Sequence, residues 1–192
     1  MLFLKSSSAG PMIEKDIRRW IQICAPERSN YPIAENMLWL LIRYPEFRNV
    51  FYFRLGAYLS IPQRLLLVLT KLLYTPISTL KFFTCVAGPG LYVRYGLGTI
   101  VGAREIGENC WISQGVAIGY KDGNGGLPTI GNNVYIGAGS KILGPVNIGD
   151  NVIVGANSVV IKDVPANCTI AGIPARIIKK DGAKISNAFS PS

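Results

Sequence analysis

The sequence contains no histidine among its 192 residues. This absence excludes histidine-ligated zinc sites, catalytic triads built on histidine and any histidine base within one chain. Cysteine is also scarce, and the few thiols are scattered along the chain without a C-x-x-C pair. The four cysteines are Cys24, Cys85, Cys110 and Cys168. Their spacing favours reduced, structural thiols in a cytoplasmic protein, and the sequence predicts no metal site.

Long apolar runs and acidic residues are limited too. No run of about 18 apolar residues occurs, so the sequence predicts no simple membrane-spanning helix. The apolar start MLFL is too short for a convincing signal peptide. Lys and Arg number 20 against 11 Asp and Glu, a formal net charge of +9. This charge suits a phosphate-rich small molecule or an anionic membrane face, whereas the lack of any nucleic-acid motif argues against nucleic acid.

A period of six dominates the second half of the chain. An aliphatic residue recurs at every sixth position, with one interruption, and a small residue usually follows it. These positions are Ile100, Ile106, Ile112, Ile118, Ile130, Ile136, Ile142, Ile148, Val154 and Val160. Three such hexads complete a triangular turn of about 18 residues, with the aliphatic side chains inside and small residues at the corners. The pattern predicts a left-handed parallel β-helix.

The single interruption is the stretch YKDGNGGLPT at 120–129. It is polar and glycine-rich and has no inward aliphatic residue, so we predict a loop that leaves the coil at a corner. Loops on a rigid scaffold often carry function, and a neutral insertion is the alternative.

Upstream of the hexads the apolar period is helical. Residues 11–24 place Ile13, Ile17, Trp20, Ile21 and Cys24 on one face. Three further apolar-faced segments follow at 34–43, 45–60 and 62–85, interleaved with basic residues. Two interpretations stay open: a helical cap packed on the coil or on a partner subunit, or a basic amphipathic surface lying on the inner membrane leaflet.

The change of period divides the chain into three predicted parts. Residues 1–87 form a helical N-terminal region, residues 88–178 form the β-helix, and residues 179–192 form a flexible basic and polar tail. The expected fold class is a left-handed parallel β-helix with an α-helical N-terminal region.

Four stretches carry a resemblance to a known family. They are GPGLYVRYGLGTIVG at 88–102, GVAIG at 115–119, PTIGNNVYIGAGSKILGPVNIGDNVIVGANSVVIKDVP at 128–165 and AGIPARII at 171–178. Over about half of its length the chain resembles the hexapeptide acyltransferases. The resemblance is strongest to the serine acetyltransferase group with its capsule and exopolysaccharide relatives. It implies a homotrimer, with a dimer of trimers as the alternative, and acetyl-CoA as a substrate held between neighbouring β-helices.

The same resemblance identifies two candidate bases. The family reaction needs a base for the acceptor hydroxyl, normally a histidine in G-x-G-L-x-I-x-H-x-x-G-x-V-V. Here the histidine position is Tyr95, and a second family histidine position, before the loop proline, is Leu127. Free tyrosine has a pKa of about 10 and is a poor base at neutral pH. Tyr95 and the loop carboxylate Asp122 are the candidates, against a tyrosine packed on the coil and a solvated turn aspartate.

The resemblance also assigns residues to coenzyme A. Gly119, Ala138 and Ala156 match positions where small residues line the pantetheine arm, although the repeat itself demands small corner residues. Lys162 and Arg176 offer cations for the phosphates.

We therefore predict an acetyl-CoA-dependent O-acetyltransferase acting on a sugar hydroxyl in capsule or exopolysaccharide biosynthesis. A lipid-linked sugar would account for the apolar, basic helices, with a cytoplasmic location and peripheral contact at the inner membrane face. Two alternatives stay open. One is a serine O-acetyltransferase, and the other is a catalytically silent trimeric scaffold that binds coenzyme A.

Overall fold

The computed structural model describes residues 9–56, 67–68, 70–84, 86–123 and 125–185. Over these residues the chain forms three α-helices with defined bounds and a further helical stretch at 67–68 and 70–73, and it then winds into a parallel β-helix with three faces. Cys85 and part of the predicted helical segment 62–85 lie outside the described residues. Residues 70–73 are helical, but the first strand begins at Lys81. Strands therefore occupy the end of the range 1–87 that was expected to be helical.

In the described residues three helices with defined bounds precede the β-helix, besides the helical residues 67–68 and 70–73. They are α1 (Gly10–Cys24), α2 (Ile33–Arg43) and α3 (Pro45–Gly56), with a 3₁₀ turn at Pro26–Arg28 between the first two. Pro11 lies in the first turn of α1, where its missing N–H removes no helical hydrogen bond. Tyr44 is extended, as residues before proline usually are, so α2 ends there and α3 begins at Pro45.

The described residues contain sixteen short strands. They are β1 (Lys81–Phe82), β2 (Val86–Ala87), β3 (Tyr92–Val93), β4 (Ile100–Val101), β5 (Glu105–Ile106), β6 (Trp111–Ile112), β7 (Ala117–Gly119), β8 (Thr129–Ile130), β9 (Tyr135–Ile136), β10 (Lys141–Leu143), β11 (Asn147–Ile148), β12 (Ile153–Val154), β13 (Val159–Val160), β14 (Cys168–Gly172), β15 (Ala175–Lys180) and β16 (Ala183–Lys184). Each strand from β1 to β10 pairs in parallel with the strand three places later. Three strands therefore complete one coil, and each coil is stabilised by its neighbours.

The coil has three faces and three corners. Face A contains β1, β4, β7, β10 and β13; face B contains β2, β5, β8 and β11; face C contains β3, β6, β9, β12 and β14. The chain turns from face A to face B at corner AB, from B to C at corner BC, and from C to A at corner CA. The predicted loop after β7 lies at corner AB and, in its described residues, contains no strand before β8.

One aliphatic side chain from each hexad fills the inside of the coil. The inward residues are at most 3% exposed: Ile106, Ile112, Ile118, Ile130, Ile136, Ile142, Ile148, Val154 and Val160. The prediction that Ile100 also points inward is wrong, since it is 46% exposed and Val101 takes the inward position beside Ile118. Successive side chains of a strand point to opposite sides, so a shift of one residue turns Ile100 outward.

Corner BC is built by asparagines in the left-handed backbone region. Asn109, Asn133, Asn151 and Asn167 have φ of 57°, 55°, 58° and 60°. Asparagine tolerates this region better than most residues that carry a Cβ. The Asn133 amide donates to Asn151 at 3.2 Å, and the Asn151 amide donates to Asn167 at 2.9 Å. These bonds link three consecutive coils.

Helix α1 packs its apolar face on the first coil. Its side chains Ile13, Ile17, Trp20 and Ile21 are at most 2% exposed. The Trp20 indole donates a hydrogen bond to the Leu91 carbonyl at 2.9 Å. Packing on the coil thus accounts for the apolar face of this helix without a lipid surface. None of the helices in the described part of the chain has the length and apolarity that crossing a membrane requires.

A buried ion pair joins α1, α3 and the coil. Arg54 Nε donates to Asp16 Oδ2 at 2.8 Å, and the two side chains are 3% and 2% exposed. Arg54 also donates to the carbonyls of Ala87 and Gly88, while the Gly90 amide donates to Asp16 at 2.7 Å. Burial raises the pKa of Asp16, and the Arg54 guanidinium opposes this rise. The helical region is therefore held on the coil by a fully bonded charge pair.

An antiparallel hairpin ends the described coil. Strand β15 pairs antiparallel with β14, and β16 pairs antiparallel with β15. Regular structure therefore continues to Lys184, within the range 179–192 that was expected to be flexible. Residues 186–192 lie outside the described residues. The described cysteines, Cys24, Cys110 and Cys168, are free thiols.

Candidate active site

Tyr95 lies at corner CA, two residues after the end of β3. Its φ is 59°, a left-handed conformation that is uncommon for an aromatic residue, and its side chain is 57% exposed. The corner spans six residues, 94–99, against four, 113–116, in the next coil. The Leu97 amide donates to the Tyr95 carbonyl and closes the turn. The longer corner projects the Tyr95 ring from the coil.

Beside Tyr95 lies a cleft of about 350 Å³ between the helical region and face C. Its walls are largely aromatic, with Trp20, Tyr44, Tyr92 and Trp111 among the lining residues. The ring centroid of Tyr92 lies 4.6 Å from that of Trp20 and 4.5 Å from that of Trp111. Rings packed at such distances attract one another, so they form a firm wall.

Arg94 brings a positive charge to the same cleft. Its guanidinium carbon lies 5.1 Å from the Tyr95 ring centroid and 5.9 Å from the Trp111 ring centroid. Cation–π contacts at these distances hold the side chain against the aromatic wall. The neighbouring Tyr95 hydroxyl raises the pKa of Arg94, so the guanidinium remains charged throughout the physiological range.

Tyr92 differs from Tyr95 although only three positions separate them. It is 6% exposed, and its hydroxyl lies 3.5 Å from Cys24 Sγ. Burial raises the pKa of Tyr92 far above its ordinary value, and the hydrogen bond with Cys24 adds a smaller rise. The Tyr92 hydroxyl therefore stays protonated and serves as part of the wall, whereas Tyr95 is open to a substrate.

The second candidate base, Asp122, lies elsewhere. Asp122 and Leu127 belong to the loop after β7 at corner AB, and Asp122 is exposed. Corners AB and CA are the two edges of face A. The structure therefore does not bring Tyr95 and Asp122 into one site within a single chain.

Ala138 and Ala156 share a corner with Tyr95. In β3, β6, β9 and β12 the inward residues are in register, and the second residue after each of them is Tyr95, Gln114, Ala138 and Ala156 in turn. Coils are spaced by about 4.8 Å, so Ala138 lies about 10 Å and Ala156 about 14 Å along the corner from Tyr95. Ala138 is half-buried and Ala156 is exposed. Two small residues thus lie in the row at corner CA, and the exposed Gln114 lies between Ala138 and Tyr95.

The other three predicted coenzyme A residues lie apart from this row. Gly119 ends β7 at corner AB, where an added Cβ would meet nothing within 4 Å. Lys162 is exposed at corner AB of a later coil, and Arg176 is exposed on β15. The predicted residues therefore divide between two edges of face A and the terminal hairpin.

Several residues of the cleft were not predicted from the sequence, among them Trp111 and Glu46. Trp111 is the outward residue of β6, and Tyr92 and Tyr135 hold the same position in β3 and β9. An aromatic residue before each inward residue was a visible signal for a wall on face C. Glu46, from the first turn of α3, had no such signal, because only the docking of α3 brings it to the cleft. No group of three or more potential metal-binding side chains occurs among the described residues.

Comparison with known proteins identifies the family. Residues 128–162 match the bacterial transferase hexapeptide (six repeats) model. Serine acetyltransferase of Synechococcus elongatus is 38% identical over 162 residues, which cover 80% of this chain and 65% of the relative. Serine acetyltransferase of Staphylococcus aureus is 43% identical over 105 residues, which cover 53% of this chain and 49% of the relative. The chain thus spans from half to just under two thirds of these relatives.

The chain is also similar to solved structures of serine acetyltransferases. Serine acetyltransferase from Brucella abortus is 30% identical, with a TM-score of 0.67, and the match covers 91% of this chain and 70% of that one. A complex of the Brucella abortus protein with coenzyme A has a TM-score of 0.64 at 26% identity, over 91% of this chain and 69% of that one. The chain belongs to the hexapeptide-repeat acyltransferase superfamily, and its three-faced coil is the left-handed parallel β-helix of that superfamily.

The predicted sugar acceptor is wrong. The relatives and the solved structures described above are serine acetyltransferases, not enzymes of capsule or exopolysaccharide biosynthesis. The lipid-linked sugar rested on the apolar character of the N-terminal helices. In the structure α1 buries its apolar face against the coil, so the apolar face of that helix does not indicate a lipid-linked acceptor.

Proposed function

We propose that this chain is an acetyl-CoA-dependent O-acetyltransferase whose acceptor is the hydroxyl of serine. The serine acetyltransferase relatives support the acceptor, and the related structure in complex with coenzyme A supports the donor. The observation that carries the proposal is the row at corner CA. Ala138 and Ala156 present small side chains to a long, thin donor at this edge, and the row continues through Gln114 to Tyr95 and the cleft beside it.

The proposed reaction is a direct transfer. The serine hydroxyl oxygen attacks the thioester carbonyl carbon, the new C–O bond forms, and the C–S bond breaks to release coenzyme A. The hydroxyl proton must leave serine, and the leaving sulfur must gain a proton. We assign Tyr95 as a relay whose hydroxyl oxygen accepts the serine proton while it donates its own to the sulfur. A relay needs no tyrosinate, which suits a residue whose ordinary pKa is about 10.

The proposal includes a homotrimer in the cytoplasm. Tyr95 and the alanine row lie at corner CA, whereas Gly119 and Asp122 lie at corner AB of the same chain. A groove that uses both edges needs corner AB of a second subunit against corner CA of the first. The free thiols of the described residues fit a reducing compartment.

A silent scaffold that binds coenzyme A is the second candidate. The absence of histidine from the whole chain favours it, because both family histidine positions, now Tyr95 and Leu127, lack an ordinary base. Loss of general-base assistance typically costs about 10²- to 10⁴-fold in rate. The scaffold would bind coenzyme A along the same edge without turnover.

A product assay separates the two candidates. The full chain is incubated with acetyl-CoA and L-serine, and free coenzyme A and O-acetylserine are both measured by chromatography. We expect equal amounts of the two products, formed only when serine is present. Coenzyme A release that serine does not accelerate would contradict the enzyme. Calorimetric binding of coenzyme A in the same preparation would then favour the scaffold.

A further inference from the structure

The cleft beside Tyr95 contains two opposite charges in aromatic surroundings. Of its ten lining residues only Arg94 and Glu46 are charged. Arg94 follows β3 on the coil, and Glu46 lies in the first turn of α3. One charge therefore comes from the coil and the other from the helical region.

Neither charge is neutralised within the described residues. The ion pairs among those residues are Lys15–Glu108, Arg18–Glu14 and Arg54–Asp16. Arg94 and Glu46 thus have no opposite charge within 4.0 Å among these residues, and they do not pair with each other. Each remains free to bind an opposite charge on a ligand that enters between them.

The position of Glu46 depends on Gly96. A Cβ added at Gly96 would lie 2.8 Å from Leu80 Cδ2 and 3.4 Å from Glu46 Cγ. Glycine therefore lets the first turn of α3 approach the corner that carries Tyr95. The carboxylate, the guanidinium and the Tyr95 hydroxyl are brought to one cleft by this close approach.

We propose that Arg94 and Glu46 select the acceptor as a small hydroxy amino acid in its zwitterionic form. The acceptor carboxylate binds Arg94, its ammonium group binds Glu46, and its hydroxyl faces Tyr95. This inference rests on the proposed acetyltransferase function and assigns the selectivity of the same site. Charge-assisted hydrogen bonds flanked by aromatic walls are stronger than the same bonds in open water.

The test uses three acceptors that differ in charge. L-serine carries both groups, ethanolamine lacks the carboxylate, and 3-hydroxypropionate lacks the ammonium group. Binding to the full chain is followed through tryptophan fluorescence, because Trp20 and Trp111 line the cleft. The variants are Arg94→Gln and Glu46→Gln. Matched controls are Arg104→Gln and Glu105→Gln, two exposed residues that do not line the cleft.

We expect each cleft variant to weaken serine binding by about 10- to 100-fold, the value of one charge-assisted hydrogen bond. Arg94→Gln should leave ethanolamine binding unchanged, because ethanolamine has no carboxylate for Arg94 to bind. Glu46→Gln should leave 3-hydroxypropionate binding unchanged, because 3-hydroxypropionate has no ammonium group for Glu46 to bind. Both controls should bind all three ligands as the unmodified protein does, and circular dichroism checks that every variant is folded.

Two outcomes would overturn the inference: serine that binds no better than ethanolamine, or cleft variants that bind serine like their controls. Failure of the proposed function is distinguishable, because binding needs no turnover. Serine that binds with the expected variant pattern but yields no O-acetylserine supports the selectivity and rejects the acetyltransferase. O-acetylserine formed equally well by both cleft variants supports the acetyltransferase and rejects the selectivity.

Discussion

At the scale of single residues, the local environment separates two neighbouring tyrosines. Tyr92 is buried under α1 beside Cys24, and its raised pKa keeps the hydroxyl protonated. Tyr95 projects from a corner that is two residues longer than the next one, with Arg94 beside its ring. The residue at the family's base position is therefore the one that a substrate can reach.

The role of Tyr95 predicts the effect of removing one oxygen atom. Tyr95→Phe should lower kcat for serine acetylation by about 10²- to 10⁴-fold, because the relay hydroxyl is lost while the ring stays. The measurement is steady-state release of coenzyme A. Tyr31→Phe is the control, since Tyr31 is exposed and does not line the cleft, and it should leave kcat unchanged.

Asp122→Asn distinguishes the two candidate bases in the same assay. If Tyr95→Phe retained full activity while Asp122→Asn lost it, the proton would leave through the loop at corner AB and the relay would be rejected. Full activity in both variants would exclude both residues as the proton acceptor.

At the scale of elements, the site depends on how the helices are held against the coil. Glu46 reaches the cleft from α3, and α3 is joined to α1 and to the first coil by the Asp16–Arg54 pair. Buried charges of this kind are costly when one partner is missing, because the other charge keeps no counter-ion. The pair therefore controls both the stability of the helical region and the position of the cleft.

Asp16→Asn should lower the free energy of unfolding by about 3–5 kcal/mol, because the buried Arg54 loses its counter-ion. Denaturant unfolding followed by circular dichroism measures the change. Glu14→Gln provides the matched control, since it breaks the exposed pair with Arg18, and its effect should stay below about 1 kcal/mol. Equal losses in the two variants would mean that the buried pair contributes no more than a surface pair.

The coil corners allow a second stability prediction. An added Cβ at Gly137 would lie 2.6 Å from the Ala156 backbone nitrogen, so Gly137→Ala must push neighbouring coils apart. Overpacking of this kind costs about 1–3 kcal/mol, and we expect a lower thermal midpoint. Gly123→Ala is the control, because a Cβ there meets nothing within 4 Å and its midpoint should not fall. Equal thermal midpoints in Gly137→Ala and Gly123→Ala would show that neighbouring coils move apart at little cost in stability.

At the scale of the whole molecule, face A separates the two edges that carry the predicted site. Tyr95 and Ala138 lie on one edge, and Gly119 and Asp122 lie on the other. A groove that used both edges would therefore need two chains, since its two halves lie at different corners of one chain. Association of identical chains around a three-fold axis can place unlike edges together.

We therefore expect a solution mass of three chains, or six if trimers pair, in light scattering after size-exclusion chromatography. Trimer formation should be required for turnover, so specific activity should fall on dilution once trimers dissociate. A monomer that remained fully active at assay concentrations would exclude a shared groove.

The sequence by itself determined the repeating unit and the position of the candidate base. A period of six, with inward aliphatic residues and small corner residues, is compatible with few structures other than this coil. The same pattern placed Ala138 and Ala156 at corner positions, whereas Tyr95 was identified by the resemblance to the family motif. The sequence also showed that neither family histidine position carries a histidine, since these are Tyr95 and Leu127.

Only the tertiary structure decided which distant residues share the cleft. Glu46 and Trp111 lie 65 positions apart, and no local pattern relates them. Their proximity follows from the docking of α3, which depends on the Asp16–Arg54 pair and on the absence of a Cβ at Gly96. Periodicity records which side of its own strand or helix a residue occupies, whereas the contact between two elements depends on side chains from both.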